Sequence, residues 1–181
     1  TQLKLEIAER KQAEDALRTN EERLNTIIET NPNGITFVER SGQISFANHT
    51  AEKILGLTRS GIKDRVYNDA AWKITAVDGG VFPEEQLPFM RVMQTNESVY
   101  NIEHAIEHPD GTRVILSINA APLHDAHADL FGMVAAHTDI TERKQAEEEL
   151  RESEERFRVM FDTTMDGFWV TDLQARLLEV N

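Results

Sequence analysis

Apolar residues recur at helical spacing from the start of the chain: Leu3, Ile7, Ala13, Leu17, Leu24 and Ile27 or Ile28 form a heptad-like stripe, broken by Arg10 and by Asn20 or Glu21. No Gly or Pro interrupts Leu3–Glu29, and Glu, Lys, Arg, Gln, Ala and Leu dominate, so one long helix is predicted. Asn31-Pro32-Asn33-Gly34 stops it, because Pro biases the residue before it away from the helix and Gly permits a tight turn. The hydrophobic period then falls to two. Ile35–Val38 and Ile44–Ala47 flank Arg40-Ser41-Gly42 and predict a short hairpin. Asn48 is placed to cap a helix whose apolar face is Ala51, Ile54 and Leu55, ended by Gly56. Short helices are expected near Arg59–Asp64 and Asp69–Ile74. A further helix follows Pro88, with Phe89, Val92 and Met93 at helical spacing. Three longer strands close the unit, about Val99–Glu107, Arg113–Pro122 and Leu130–Asp139, joined through Pro109-Asp110-Gly111 and a His124–Asp129 loop. Two strands, helices, then three strands imply an α+β fold: a five-stranded antiparallel sheet with helices on one face.

The run Glu9-Arg10-Lys11-Gln12-Ala13-Glu14 returns unchanged as Glu142–Glu147, an offset of 133 residues. The same offset pairs Ile7 with Ile140, Leu17 with Leu150, Gly34 with Gly167 and Asn48 with Asn181. So long a period points to whole domains joined by helical linkers rather than a stacked solenoid. The expected organisation is a linker helix over 1–30, a domain over 31–139, a second helix over 140–160 and the opening of a second repeat over 161–181. The helices carry charged flanks that suit pairing in a coiled-coil homodimer, against the alternative of a solvated single helix. The adjacent choices Ile27 or Ile28 and Met160 or Phe161 allow two registers. A lone hairpin from Phe168 to Val180 is marginal in water, so that stretch is expected to be disordered or to add to another chain.

The formal charge of −13 is spread over all three parts of the chain, and no basic face is available for a phosphate backbone, which disfavours nucleic-acid binding. Cysteine is absent. That excludes disulfides, thiolate metal sites and cysteine nucleophiles, and fits a reducing, cytoplasmic setting. No apolar run reaches the roughly 18–20 residues needed to span a bilayer.

With these elements in place, Asn33-Gly34-Ile35, Phe46-Ala47-Asn48 with Ala51–Gly56, His108-Pro109-Asp110-Gly111-Thr112 and Asp139-Ile140-Thr141-Glu142-Arg143-Lys144 together resemble the PAS sensor family over residues 31–144. The last of these runs is similar to the family's exit signature, in which the final strand passes into a signalling helix. The resemblance implies a sensor or dimerisation module of a two-component or related signalling protein, with a histidine kinase or cyclic-dinucleotide enzyme as output elsewhere. It implies a pocket on the helical face of the sheet, with Tyr100, Ile102, His104 and Ile106 inward, together with Val114, Leu116, Ile118, Ala120, Met133, Ala135 and His137. Asp139, Ile140 and Thr141 then relay its state.

Ligand contact is therefore expected of Asn48, Trp72, Tyr100, His104, Leu116, Ile118 and His137. Two imidazoles can hold a polar ligand or titrate near neutral pH, or they are satisfied core histidines. Trp72 either stacks on a planar ring, with Asn48 at the pocket entrance, or plugs the core. The family's cysteine-linked flavin is excluded by composition, and haem is disfavoured because Glu85–Thr95 offers no histidine as axial ligand. Non-covalent flavin and a small metabolite stay open. His124, His127 and Asp129 have metal-ligand types on a flexible loop, and no metal site is assigned. No phosphate-binding Gly-rich motif, nucleophile elbow or Ser/His/Asp arrangement appears, so no catalytic residue is assigned. A ligand-free spacer, its cavity filled by Tyr100, Phe89, Met90, Met93 and Leu116, is the alternative to a sensor.

Overall fold

Helix formers without a break produce the longest element. In a computed structural model, which describes residues 2–163, 169–171 and 177–180, helix α1 spans Gln2–Glu29. Arg10–Glu14 and Asp15–Arg18 ion pairs line its surface, each contributing only a few tenths of a kcal/mol. Ile7, Leu17, Leu24 and Ile27 lie more than half exposed along it, whereas Ile28 is half-buried. The chain divides after Ile140 into two units.

In the first unit, β1 (Gly34–Glu39) and β2 (Ile44–Ala47) form the opening hairpin. Helices α2 (His49–Leu55), α3 (Arg59–Lys63) and α4 (Pro88–Thr95) follow, with short 3₁₀ turns at Ala70–Trp72 and Glu84–Gln86. Strands β3 (Val99–Glu107), β4 (Arg113–His124) and β5 (Leu130–Asp139) complete a five-stranded sheet in the order β2-β1-β5-β4-β3, every pair antiparallel. The fold is the α+β arrangement expected, with β4 two residues longer than its apolar pattern indicates. The last strand thus lies at the centre, between β1 and β4.

Alternation decides what the sheet buries. Val38, Ile106, Val114, Leu116, Ile118, Ala120, Met133 and Ala135 face Ala51 and Leu55 of α2, Ile62 of α3 and Phe89 and Val92 of α4 in one core. Each large aliphatic side chain so buried contributes roughly 1.5–3 kcal/mol. Ala105, Ile115 and Ile140, with Val77, form a second, smaller cluster. Close approach fixes two glycines. A Cβ on Gly132 would sit 2.5 Å from the Val38 carbonyl oxygen, and Gly56 ends α2 at φ +65° directly under the His108 ring.

In the second unit, α5 spans Thr141–Thr163, and Arg151 bridges Glu148 and Glu155 along it. Strands β6 (Trp169–Thr171) and β7 (Leu177–Val180) pair antiparallel with each other, where the sequence predicts disorder or pairing with another chain. Phe168 and residues 172–176, Leu173 among them, lie outside the described residues.

Candidate functional site

The inward face of the sheet, α2, α4 and the turn bearing Trp72 enclose a cavity of about 70 Å³. Leu116, Ile118, His104 and His137 line it, on the inward side that the resemblance implies, and Trp72 lines it as well. His104 lies opposite Leu116 across β3–β4, and His137 opposite Ile118 across β4–β5, so the two imidazoles stand diagonally across the strand between them. His104 is only 4% exposed.

The polar chemistry of this cavity is concentrated in three side chains. Thr36 Oγ1 and His137 Nε2 are 2.9 Å apart and share a hydrogen bond. Nδ1 of His137 and Nδ1 of His104 are both shielded from solvent and have no partner. Burial pushes both imidazoles down to about 4, with the neighbouring His104 adding to the effect on His137. Burial thus favours neutral rings at physiological pH and argues against the alternative in which they titrate near neutrality. A neutral imidazole offers one donor and one acceptor, so each ring leaves one shielded nitrogen unsatisfied at Nδ1.

Tyr100 is a second correction. It is 68% exposed and does not line the cavity, so it neither contacts a ligand there nor fills the void. Val99 pairs with Ala120 and Ile102 with Ile118, three steps on β3 against two on β4. This bulge inserts one residue, and Asn101 absorbs the turn at φ +53° while its N–H donates to Asn119 Oδ1 at 2.8 Å. Parity is reversed on the N-terminal side of the bulge: Val99 points inward and Tyr100 outward.

Asn48 also moves from ligand contact to architecture. It is fully buried, and its side chain is saturated: Oδ1 accepts from Ile35 N–H and Ala51 N–H, and Nδ2 donates to the Ile28 and Asn33 carbonyls. One amide thus caps α2 and ties the end of α1 to β1. Around it, Glu29 accepts from the His49 backbone and pairs with Arg59, and Thr50 Oγ1 donates to the Asn31 carbonyl.

Trp72 forms a wall of the core. Its Nε1 donates to the Val66 carbonyl at 2.9 Å, and the Arg65 guanidinium lies 4.6 Å from its ring centroid. A flavin does not fit: cavities that hold such ligands measure roughly 300–1,000 Å³. Haem does not fit for the same reason, and α4 presents no histidine to it.

Thr36 is the functional side chain that sequence reasoning missed. Its signal was parity, since a threonine two residues before the inward Val38 on a short strand must share its face. Tyr67, also missed, reaches the cavity from an irregular segment, stacked on Phe89 with its hydroxyl donating to Glu84.

At the exit, Asp139 is the last residue of β5 and pairs with Leu116. Ile140 is buried, and its N–H donates to the Ile115 carbonyl at 2.9 Å. Thr141 opens α5.

A central exit strand, helices on one face and a cavity between them define a PAS fold. A PAS domain family model matches residues 32–142, and a second PAS domain model matches 155–181. The chain belongs to the PAS domain family. It is 28% identical to sporulation kinase E of Bacillus subtilis over 185 aligned positions, covering 97% of this chain and 22% of that protein. It is 25% identical to the signal transduction histidine-protein kinase AtoS of Escherichia coli over 147, covering 77% of this chain and 21% of that one. The chain therefore spans about a fifth of the length of these relatives. Among solved structures, the PAS domain of an HTR-like protein from Haloarcula marismortui superposes with a TM-score of 0.55 at 19% identity, covering 72% of this chain and 99% of that one. No described helix is long and apolar enough to cross a membrane.

Proposed function

We propose that residues 31–139 form a sensory module whose cavity state passes through β5 into α5, inside a longer signalling protein of the histidine-kinase or cyclic-dinucleotide type. The linker helices over 1–30 and 140–160 pair with those of a second copy, and 161–181 begins a further PAS repeat. His104, His137, Leu116, Ile118 and Trp72 contact the occupant of the cavity, while Asp139, Ile140 and Thr141 carry its state onward.

One observation carries this reading: a buried and a half-buried imidazole, His104 and His137, each with one shielded, unpartnered nitrogen, line a cavity, and His137 sits two residues before the end of the strand that leads into the helix. Only Ile140 separates that strand from α5. The exposed stripe Ile7, Leu17, Leu24 and Ile27 supports pairing of α1, since such residues are stable in water when a partner helix covers them. Similarity to two signalling kinases supports the class of output.

The competing reading is a ligand-free spacer, and the small size of the cavity favours it. A distance measurement separates the two. The chain has no cysteine, so Glu152→Cys on the exposed face of α5 carries a single spin label per protomer. The sensor reading expects an inter-label distance in solution that shifts by about 2 Å or more on His137→Phe, the scale of interface helix shifts. No inter-label distance would eliminate pairing, and an unshifted distance would leave the spacer.

A further inference from the structure

The sensor reading, on which this inference rests, leaves the chemistry of the occupant open, and the walls of the cavity narrow it. They carry almost no reachable polar surface. The Thr36 hydroxyl and His137 Nε2 are bonded to each other, Trp72 Nε1 donates to the Val66 carbonyl, and the Tyr67 hydroxyl donates to Glu84. The unpartnered Nδ1 atoms of His104 and His137 are shielded and offer an occupant nothing. Among the described residues that line the cavity none is Asp, Glu, Lys or Arg. An ion or an amide placed here would shed its water for walls that return neither charge nor hydrogen bonds. Water fares no better, since a buried water needs about two to four polar partners and apolar cavities stay dry.

Size sets the other limit. A dry cavity of about 150 Å³ accepts benzene or xenon, so the 70 Å³ here admits roughly half as many heavy atoms as benzene has. Left empty, such a void forfeits dispersion contacts along its lining, and an apolar guest restores them. Met133 and Ala135 of β5 form part of the wall, so a guest bears directly on the strand that leads to α5. The unbranched, polarisable side chain of Met133 adapts to guests of slightly different shape.

We propose that the cavity is a dry site for one small apolar molecule without hydrogen-bonding groups, of about two to four non-hydrogen atoms, in the range of a short hydrocarbon or a dissolved diatomic gas. Binding rests on dispersion and on apolar area removed from water, and so few atoms set a dissociation constant on the order of 1–50 mM.

The test uses the whole chain with ¹³C-labelled methyl groups under xenon, a probe that fills apolar voids and forms no hydrogen bonds. Over a range of xenon pressures at pH 7, the methyls of Val38, Leu116, Ile118 and Met133 should shift along a saturating curve, while those of the exposed Val81 drift only in proportion to pressure. Propane and dioxygen are then set against xenon, and the one that displaces it at the lower concentration identifies the source as hydrocarbon or gas; displacement by neither overturns the proposal. Acetamide, which is polar, and benzene, which is too large, should leave the wall methyls in place. Ala135→Val, which grows into the cavity, should weaken xenon binding by about tenfold or more, and the selectivity of the native chain decides the matter if that variant does not fold. Shifts merely proportional to pressure at the wall methyls overturn the proposal in favour of a closed packing defect. Saturation by acetamide, or nuclear Overhauser contacts from water to the wall methyls, overturns it in favour of a polar, hydrated site, and saturation by benzene overturns the size limit. None of these readouts involves α5, so the relay is tested separately by the inter-label distances.

Discussion

Asn48 offers the sharpest stability prediction, because one side chain serves three elements. Asn48→Ala removes the acceptor that caps α2 at Ala51 N–H, and typical cap deletions cost about 1 kcal/mol. It also strips Ile35 N–H and the Ile28 and Asn33 carbonyls of their side-chain partner, and buried polar groups left unpaired cost about 1–3 kcal/mol each. Ile28 C=O keeps a second contact from Asn31 N–H at 3.3 Å, which reduces its share. The expected loss is about 3–5 kcal/mol, a large part of a typical domain's 5–15 kcal/mol. Urea midpoints at unchanged m-value measure it. Asn48→Asp separates the two roles: the carboxylate still accepts from Ala51 and Ile35 but turns an oxygen toward two carbonyls. α2 should therefore persist while amide exchange at residues 27–31 rises as the end of α1 detaches. A loss below about 1 kcal/mol for the alanine variant, or unchanged exchange for the aspartate variant, refutes the argument.

Lowering the pH from 7.5 to 4.5 should destabilise the domain. The two imidazoles have folded values near 4, below the ordinary 6.5, so the unfolded chain binds protons first; stability is complete above about 6.5 and falls between there and 4. The effect is on the order of 3 kcal/mol per ring, and thermal unfolding of His104→Leu beside the native chain should show a shallower slope; equal slopes contradict it. Gly132→Ala should cost about 2 kcal/mol or more, because the atom it meets is the Val38 backbone oxygen, which cannot swing aside; a neutral denaturation curve counts against the close β1–β5 approach. Tyr100→Ser should change stability by less than about 0.5 kcal/mol, and a large loss would return Tyr100 to the core.

Most of the architecture was legible because local signals agreed. The unbroken run of helix formers located α1, Asn48 and Gly56 bracketed α2, and Pro-Asp-Gly located the β3–β4 turn. Parity along β4 and β5 likewise located Leu116, Ile118 and His137 on the cavity wall. What failed was parity where the ladder slips. Asn101 adopts a left-handed conformation that asparagine tolerates but does not announce, so the inward reading of Tyr100 was carried across a bulge that only the β4 register reveals. Asn48 was read correctly as a cap, but its Nδ2 donors reach Ile28, twenty residues away, and no local pattern encodes that contact. The ring values followed the same logic: residue type suggested neutrality-range titration, and burial among apolar side chains overrode it.

The claim at the centre of this account is that the cavity and the exit helix are mechanically joined. Leu116 lines the cavity, its neighbour Ile115 accepts from Ile140 N–H, and Thr141 begins α5. Amide exchange at Ile140–Lys144, compared between the native chain and His137→Phe, reads that junction directly. The account predicts a change of about tenfold or more at these amides while exchange at residues 13–19 of α1 stays constant, the signature of a local opening energy altered by about 1.4 kcal/mol. A change confined to the strands around the cavity, with Ile140–Lys144 unaffected, would contradict it.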